Sequence, residues 1–104
     1  MVDNRVFVSG QASVDAQGKI ASDTFGGEFR RSNENVRAVL KTAGCDLSDV
    51  VQTRNYVRDA SNLAEHNRLY AEYFPKPRPA RTTITNCPPT LRYEIECIAV
   101  LPGT

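Results

Sequence analysis

Apolar and polar positions along the chain switch between a period near 2 and a period near 3.6, and the switches divide it into elements. Val6-Phe7-Val8 is a β-branched and aromatic run closed by Ser9-Gly10, which predicts a strand with a turn or bulge at its end. Asp15-Ala16-Gln17-Gly18 is turn chemistry, so Lys19-Ile20-Ala21 is expected to return as a short second strand. A helical period follows. Phe25, Phe29, Val36, Leu40 and Ala43 fall near multiples of one helical turn, with Ser32 and Asn33 in the gap. Asp23 or Thr24 can cap its start, and Gly44 stands where a left-handed residue closes a helix.

Val50 to Val57 reads as a strand, with Val51, Thr53, Asn55 and Val57 on one face and Gln52, Arg54 and Tyr56 on the other. Asp59-Ala60-Ser61 breaks the chain and caps a second helix. Its stripe is Leu63, Asn67, Tyr70 and Phe74, with His66 beside Asn67. Pro75, Pro77 and Pro79 end that helix, because each ring removes a donor and restricts the residue before it. Arg81 to Thr85 is a Thr/Ile-rich strand, Cys87-Pro88-Pro89-Thr90 a turn, and Tyr93 to Leu101 a long last strand. The predicted order is β-β-α-β-α-β-β, an α+β fold whose mixed sheet carries both helices on one face. No third helix remains for the other face, so self-association through it is expected.

At 104 residues the chain is expected to be one domain, 1–104, with a modest core that assembly would help. Thirteen basic against twelve acidic residues give a net charge of +1, which provides no large field for nucleic acid or a membrane surface. No apolar stretch approaches the ~20 residues of a membrane span, and Met1 to Arg5 lead into a strand-like segment without a signal pattern. A cytoplasmic location is the expectation. Cys45, Cys87 and Cys97 are odd in number and never spaced as C-x-x-C, and His66 is the sole histidine, so neither a disulfide framework nor a metal site is indicated.

Candidate chemistry sits on the last two strands. Arg81, Thr83 and Thr85 point one way and Thr82 and Ile84 the other; Tyr93, Ile95, Cys97, Ala99 and Leu101 suit a helix-packed face, opposite Glu94 and Glu96. If the two strands are neighbours, Arg81 and a glutamate share the helix-free side, where a charged pair is costly unless used or well paired. On pattern alone a structural ion pair at a subunit interface is the commoner kind, and a functional pair stays open beside it. His66 reads as a surface helix residue rather than a general base, and Tyr56 and Tyr93 are expected to face the helices.

Several segments, in order, resemble the RidA (YjgF) family of reactive-intermediate deaminases. They are Val6-Phe7-Val8-Ser9-Gly10-Gln11, Asn33-Glu34-Asn35-Val36 with Ala43-Gly44, Asn67 with Tyr70, Pro79-Ala80-Arg81-Thr82-Thr83, and Tyr93-Glu94-Ile95-Glu96-Cys97-Ile98-Ala99. The Pro-Ala-Arg run followed by a Glu-Ile-Glu strand is the most specific of these. The resemblance implies a chorismate-mutase-like fold assembled as a homotrimer around a central barrel, with sites in clefts between subunits. It implies hydrolysis of 2-imino and 2-enamino acids, such as 2-aminoacrylate, to 2-oxo acids and ammonia, without a cofactor.

On that resemblance Arg81 would grip the substrate carboxylate bidentately, which a planar guanidinium does better than an ammonium. Glu94 would hold or activate water and move protons to the departing amine, with Glu96 ranked below it. Asn67 would bond the imine or a water, an interface or capping amide being equally open. Ser9 and Gly10 match a cleft wall, or form a bulge only. Thr83 stands where many relatives carry a reactive cysteine. Of the three thiols here only Cys87 falls near the proposed cleft, and it is expected to be inert. Relatives begin further upstream with a Gly-Pro-Tyr-Ser-Gln run whose tyrosine lines the site, and their turn between the arginine and the glutamate is longer, with leucine-proline in place of Pro88-Pro89. Two other classes stand beside the deaminase: a non-catalytic trimer that binds small carboxylates, and an endoribonuclease or translation inhibitor, a name some relatives carry. Arg30, Arg31 and Arg37 make a positive helix surface for the latter, diluted by Glu28 and Glu34.

Overall fold

A computed structural model describes residues 3–76, 79–87 and 91–102. The elements are β1 (Arg5–Ala12), α1 (Phe25–Thr42), β2 (Val50–Val57), α2 (Leu63–Tyr73), β3 (Ala80–Thr85) and β4 (Tyr93–Val100), with single 3-10 turns at Leu47–Asp49 and Ala60–Asn62. Thr24 starts α1: its hydroxyl accepts from the Gly27 amide at 3.2 Å, and Gly44 leaves the helix at φ +83. The second helix begins without a side-chain cap, neither Asp59 nor Asn62 supplying one.

The strands form one sheet in the order β1-β4-β2-β3. β4 runs antiparallel to both its neighbours, and β2 and β3 run parallel, joined by the α2 crossover. Alternation on β4 is strict. Tyr93, Ile95, Cys97 and Ala99 are buried beneath the helices, while Glu94, Glu96, Ile98 and Val100 are half-exposed on the other face. Phe25, Phe29, Val36 and Leu40 of α1 and Leu69, Tyr70 and Phe74 of α2 close the core over that inner face. The α+β architecture and the mixed sheet with one helix-covered side are as the sequence pattern predicts.

Four local expectations are corrected. Residues Lys19–Ala21 do not add a strand to the sheet; one isolated bridge, Val14 to Ile20, closes the turn instead. The observed order is therefore β-α-β-α-β-β. Val51 is about half exposed and Val50 takes the inner position, because the β2–β4 register shifts between Val50 and Gln52. The stripe of α2 is also rotated: His66 and Leu69 are buried and Asn67 is exposed. Tyr56 lies on the helix-free face, where its hydroxyl donates to Glu96 at 3.2 Å. Pro77, Pro88, Pro89 and Thr90 lie outside the described residues.

Glu28 is buried, and the arginines of α1 are paired with other acids, Arg30 with Glu72, Arg31 with Asp23 and Arg37 with Glu34. The Glu28 carboxylate accepts the amide of Arg92 at 2.6 Å and that of Asp23 at 3.1 Å, tying the entry of β4 to the start of α1. Charge-assisted bonds to two backbone donors are what make a buried carboxylate tolerable.

Candidate functional site

Arg81 is the second residue of β3, an edge strand, and its cross-strand neighbour is Thr53 on the buried face of β2. The guanidinium therefore turns toward the helices. There its Nη1 donates to Asn67 Oδ1 at 2.9 Å, and its centre sits 4.9 Å above the Tyr70 ring, within cation–π range. Asn67, Tyr70, Ala71, Pro79 and Arg81 line an open cleft of ≈ 260 Å³. The Thr83 side chain, one step along the same face, has a buried hydroxyl with no partner among the described residues.

Beneath this cleft runs a chain of buried polar side chains. Asn33 of α1 donates to the Tyr93 hydroxyl at 3.3 Å, Tyr93 donates to Asn55 Oδ1 at 2.5 Å, and Asn55 donates to Thr53 Oγ1 at 3.1 Å. Thr53 and the Tyr70 hydroxyl then share a bond of 2.7 Å. All five residues are nearly or wholly buried. Burial, in the first place, also pushes the Tyr93 phenol far above its ordinary range, so it stays neutral.

His66 packs edge-on against Phe25 and Phe29 and beside Tyr70 and Tyr93, fully buried. The expectation of a surface residue fails because His66, not Asn67, lies on the inner side of α2. Burial first, and then the positive charge of Arg81, lower its imidazole from 6.5 to about 4. Neither ring nitrogen has a hydrogen-bond partner among the described residues, so it is a core ring rather than a base in the cleft.

The other predicted residues lie elsewhere. At the β1–β4 pair the register shifts between Val8 and Gln11, which places Ser9 and Gly10 in a β-bulge. A Cβ on Gly10 would sit 3.0 Å from Glu94 Oε2, so the glycine makes room for the carboxylate. Glu94 itself makes no side-chain hydrogen bond or ion pair to another described residue, whereas Glu96 is held by Arg54 and Tyr56, each at 3.2 Å.

Arg81 and Glu94 do not share a face, contrary to the expectation drawn from neighbouring strands. β3 pairs with β2 rather than β4, which puts Arg81 on the helix side and Glu94 on the open side. They are two strands apart and three residues out of line, roughly 14 Å between Cα atoms by ordinary sheet spacings. Within one chain the residues fall apart: Arg81 and Asn67 with Thr83 at the β3 edge, Glu94 beside Gly10 at the β1–β4 side, and Ser9 on a neighbouring open-face pocket with Glu96.

Two thiols are ruled out of the chemistry by their surroundings. Burial raises Cys97 to about 12, and Cys45 is raised by burial and by Asp49. Cys87 is half-buried, its thiol directed at the Ile84 carbonyl 3.9 Å away. No helix among the described residues is long and apolar enough to cross a membrane.

Sequence reasoning did not find Tyr70 as a support for Arg81, nor the polar chain behind it. The available signal was Thr53 and Asn55 alternating with apolar Val57 on one strand face, a polar pair where a core is expected.

A sheet with two helices on one side and an arginine cleft at its edge defines the class, and comparison with known proteins gives the family. A family model described as Endoribonuclease L-PSP matches residues 1–101, and the chain belongs to this family, the RidA (YjgF) group that its sequence resembles. It is 36% identical over 101 residues to a RutC family protein of Pyrococcus abyssi, covering 94% of this chain and 80% of that protein. It is 32% identical over 103 residues to the human 2-iminobutanoate/2-iminopropanoate deaminase, covering 96% of this chain and 75% of that one. The crystal structure of RidA from an Antarctic Psychrobacter superposes with a TM-score of 0.88 at 29% identity, over 97% of this chain and 84% of that one.

Proposed function

We propose that the protein hydrolyses 2-imino and 2-enamino acids of the 2-aminoacrylate type to 2-oxo acids and ammonia, in clefts between the subunits of a homotrimer. The observation that carries this reading is the Arg81 guanidinium, steadied by Asn67 and the Tyr70 ring at the edge of an open cleft. Only one of its donors is engaged by Asn67, so a bidentate edge is left for a carboxylate. Thr83 follows Arg81 on the same strand face, but its hydroxyl is buried and outside the cleft lining, so it adds no ligand contact within one chain. Relatives named for imine deamination support the reaction class.

In the proposed reaction, the enamine first takes a proton from solvent at carbon to become the iminium ion. Water then adds to C2 and passes a proton to Glu94, which leaves the neutral carbinolamine. The carbinolamine collapses as Glu94 returns a proton to the nitrogen: the C–N bond breaks, ammonia leaves, and loss of the hydroxyl proton gives the 2-oxo acid. Glu94 suits this role better than Glu96, whose carboxylate is already engaged by Arg54 and Tyr56. Gly10 would keep the wall beside Glu94 low, while Ser9 lies in the neighbouring pocket with Glu96.

The two groups lie on opposite sides of one sheet, so a complete site needs the Arg81 edge of one copy set against the Glu94 side of the next. Such a heterologous contact is not twofold, and with a threefold rotation it closes into the proposed trimer. The expected outcome of the primary test is faster ammonia release from enzymatically generated 2-aminoacrylate, with a loss of at least about a hundredfold in Arg81→Ala, whose carboxylate anchor is gone. Equal rates for wild type, Arg81→Ala and buffer would reject the enzymatic reading.

A second reading has its own observation: among the described residues that line it, the Arg81 cleft contains no carboxylate base. A trimer that binds small carboxylates without turnover would need only that cleft. Calorimetric, Arg81-dependent binding of 2-oxobutanoate by a protein that releases no ammonia would select it.

A further inference from the structure

The five-residue polar chain reaches the cleft only through the Tyr70 ring beneath Arg81; its other four members are fully buried and do not line the cleft. Each member is at least 98% buried, so each lost bond would leave a polar group dry. The order is continuous from Asn33 on α1, through Tyr93 on β4 and Asn55 and Thr53 on β2, to the Tyr70 hydroxyl on α2. The Asn55 amide also reaches the Thr82 carbonyl of β3 at 3.5 Å, beside Arg81 in sequence. The chain therefore touches three strands and both helices, and its outer end fixes the one aromatic ring on which the guanidinium lies.

We infer that Tyr70 is a positioning residue for carboxylate recognition: the buried chain clamps its hydroxyl through Thr53, and the clamped ring holds the Arg81 guanidinium in the plane that meets the ligand. This rests on the proposed carboxylate site, and adds to it the device that sets the arginine's aim. Arginine on an edge strand has many rotamers, and freezing them on ligand binding costs affinity. A ring 4.9 Å below the guanidinium and the Asn67 amide 2.9 Å from one nitrogen restrict it from two directions before any ligand arrives. The clamp matters because an unanchored phenol ring on α2 would be free to leave the guanidinium face. It also explains why polar Thr53 and Asn55 occupy inner positions of β2, where Val57 follows the ordinary apolar rule.

The test uses Thr53→Val, Tyr70→Phe and their combination in the full chain. Thr53→Val removes the clamp without touching the cleft, and Tyr70→Phe keeps the ring but removes its anchor. In the free wild-type protein the Arg81 side-chain NH signals should be shifted upfield by the ring below them, and either substitution should move them back toward random-coil positions. The same variants should raise KM about three- to tenfold with kcat unchanged, because the carboxylate contact is made equally in ground and transition states. The double variant should match the singles rather than multiply them, since both break one link. It removes both partners of the Thr53–Tyr70 bond, while the Asn55 amide, which loses Thr53 Oγ1, keeps the Thr82 carbonyl at 3.5 Å; Tyr70→Phe alone leaves Asn55 bonded and serves where the Thr53 variants do not fold.

Unmoved Arg81 signals in all three variants would overturn the inference, as would KM values equal to wild type, and multiplicative effects would separate the two residues. Failure of the deaminase reading is distinguishable. A wild type without turnover loses the kinetic readout, while the NMR signals of the free protein still decide whether Tyr70 positions Arg81.

Discussion

At the β3 edge, Arg81 lies on a buried tyrosine that is itself bonded into the core, with an asparagine amide on its flank. At the β1–β4 side, Glu94 stands beside a bulge glycine and bonds no other described side chain. The first group is fixed by its own chain, while the second offers a half-exposed carboxylate with no side-chain partner among the described residues. Specific binding of a carboxylate asks for a rigid donor fork, whereas water activation and proton transfer ask for a carboxylate free to change partners. The proposed division of labour between the two sides follows that difference, and under it neither side is a site alone.

The largest effect should come from separating the two sides into different chains. Arg81→Ala and Glu94→Gln variants should each be almost inactive. Co-expressed in equal amounts and assembled at random, they should regain about a quarter of wild-type ammonia release, because one cleft in four draws an intact Arg81 from one copy and an intact Glu94 from the next. A site contained in one chain would regain nothing, so a mixture as inactive as its components would refute the shared cleft.

His66 sharpens the contrast from the Arg81 side. Its imidazole protonates near 6.5 in the unfolded chain and near 4 in the folded one. Between those values the unfolded state binds more protons, so stability should fall as pH drops from 6.5 to 4 and level off below, by at most ~3 kcal/mol. His66→Leu should abolish that slope while leaving neutral-pH stability unchanged or higher, since neither ring nitrogen loses a bond. Denaturant midpoints measured across this range check it; an unchanged slope would assign the acid sensitivity to other groups. In Arg81→Ala the histidine should titrate higher, because one cause of its lowered value is the arginine's charge.

Gly10 probes the Glu94 side in the same way. Gly10→Ala places a methyl 3.0 Å from Glu94 Oε2 and 3.2 Å from its Cδ, tighter than ordinary contact. The far end of a glutamate can swing away, so stability should change by less than about 1 kcal/mol. The carboxylate would nevertheless be displaced, and kcat should drop about tenfold with KM for the carboxylate substrate nearly unaltered. An equal loss in binding would show that the two sides are not divided as described.

The fold was legible in the sequence because its elements carry strong local signals: the Val6–Val8 run, the α1 period capped by Thr24, and the alternation from Tyr93 to Val100. Arg81 and Glu94 were legible as candidates from the same alternation. Their placement was not. Whether β3 joins β2 or β4 is decided by the α2 crossover, and no residue of β3 announces its neighbour. His66 and Asn67 were exchanged because a one-residue rotation of α2 decides which is buried, and both are polar. Val51 misled for a similar reason, since the register shift beside it leaves two valines competing for one inner position. The clamp behind Arg81 was hidden because its members are spread over four elements and meet only in the folded core.

The smallest effect is expected at Glu96, two residues from Glu94 on the same strand face. Its carboxylate is shared by Arg54 and the Tyr56 hydroxyl, and the ion pair is partly exposed, at 51% for Arg54 and 36% for Glu96. Exposed pairs of this kind contribute up to about 1 kcal/mol, reduced further by salt. Glu96→Gln keeps an acceptor for both partners, so turnover should stay within about twofold of wild type, against the near-complete loss in Glu94→Gln. Rate measurements on the two variants side by side decide between them. If Glu96→Gln were the more damaging, the proton carrier would be the carboxylate already bonded to Tyr56 and Arg54, and the open side of the sheet would have to be reassigned as a pre-formed network like the one beneath Arg81.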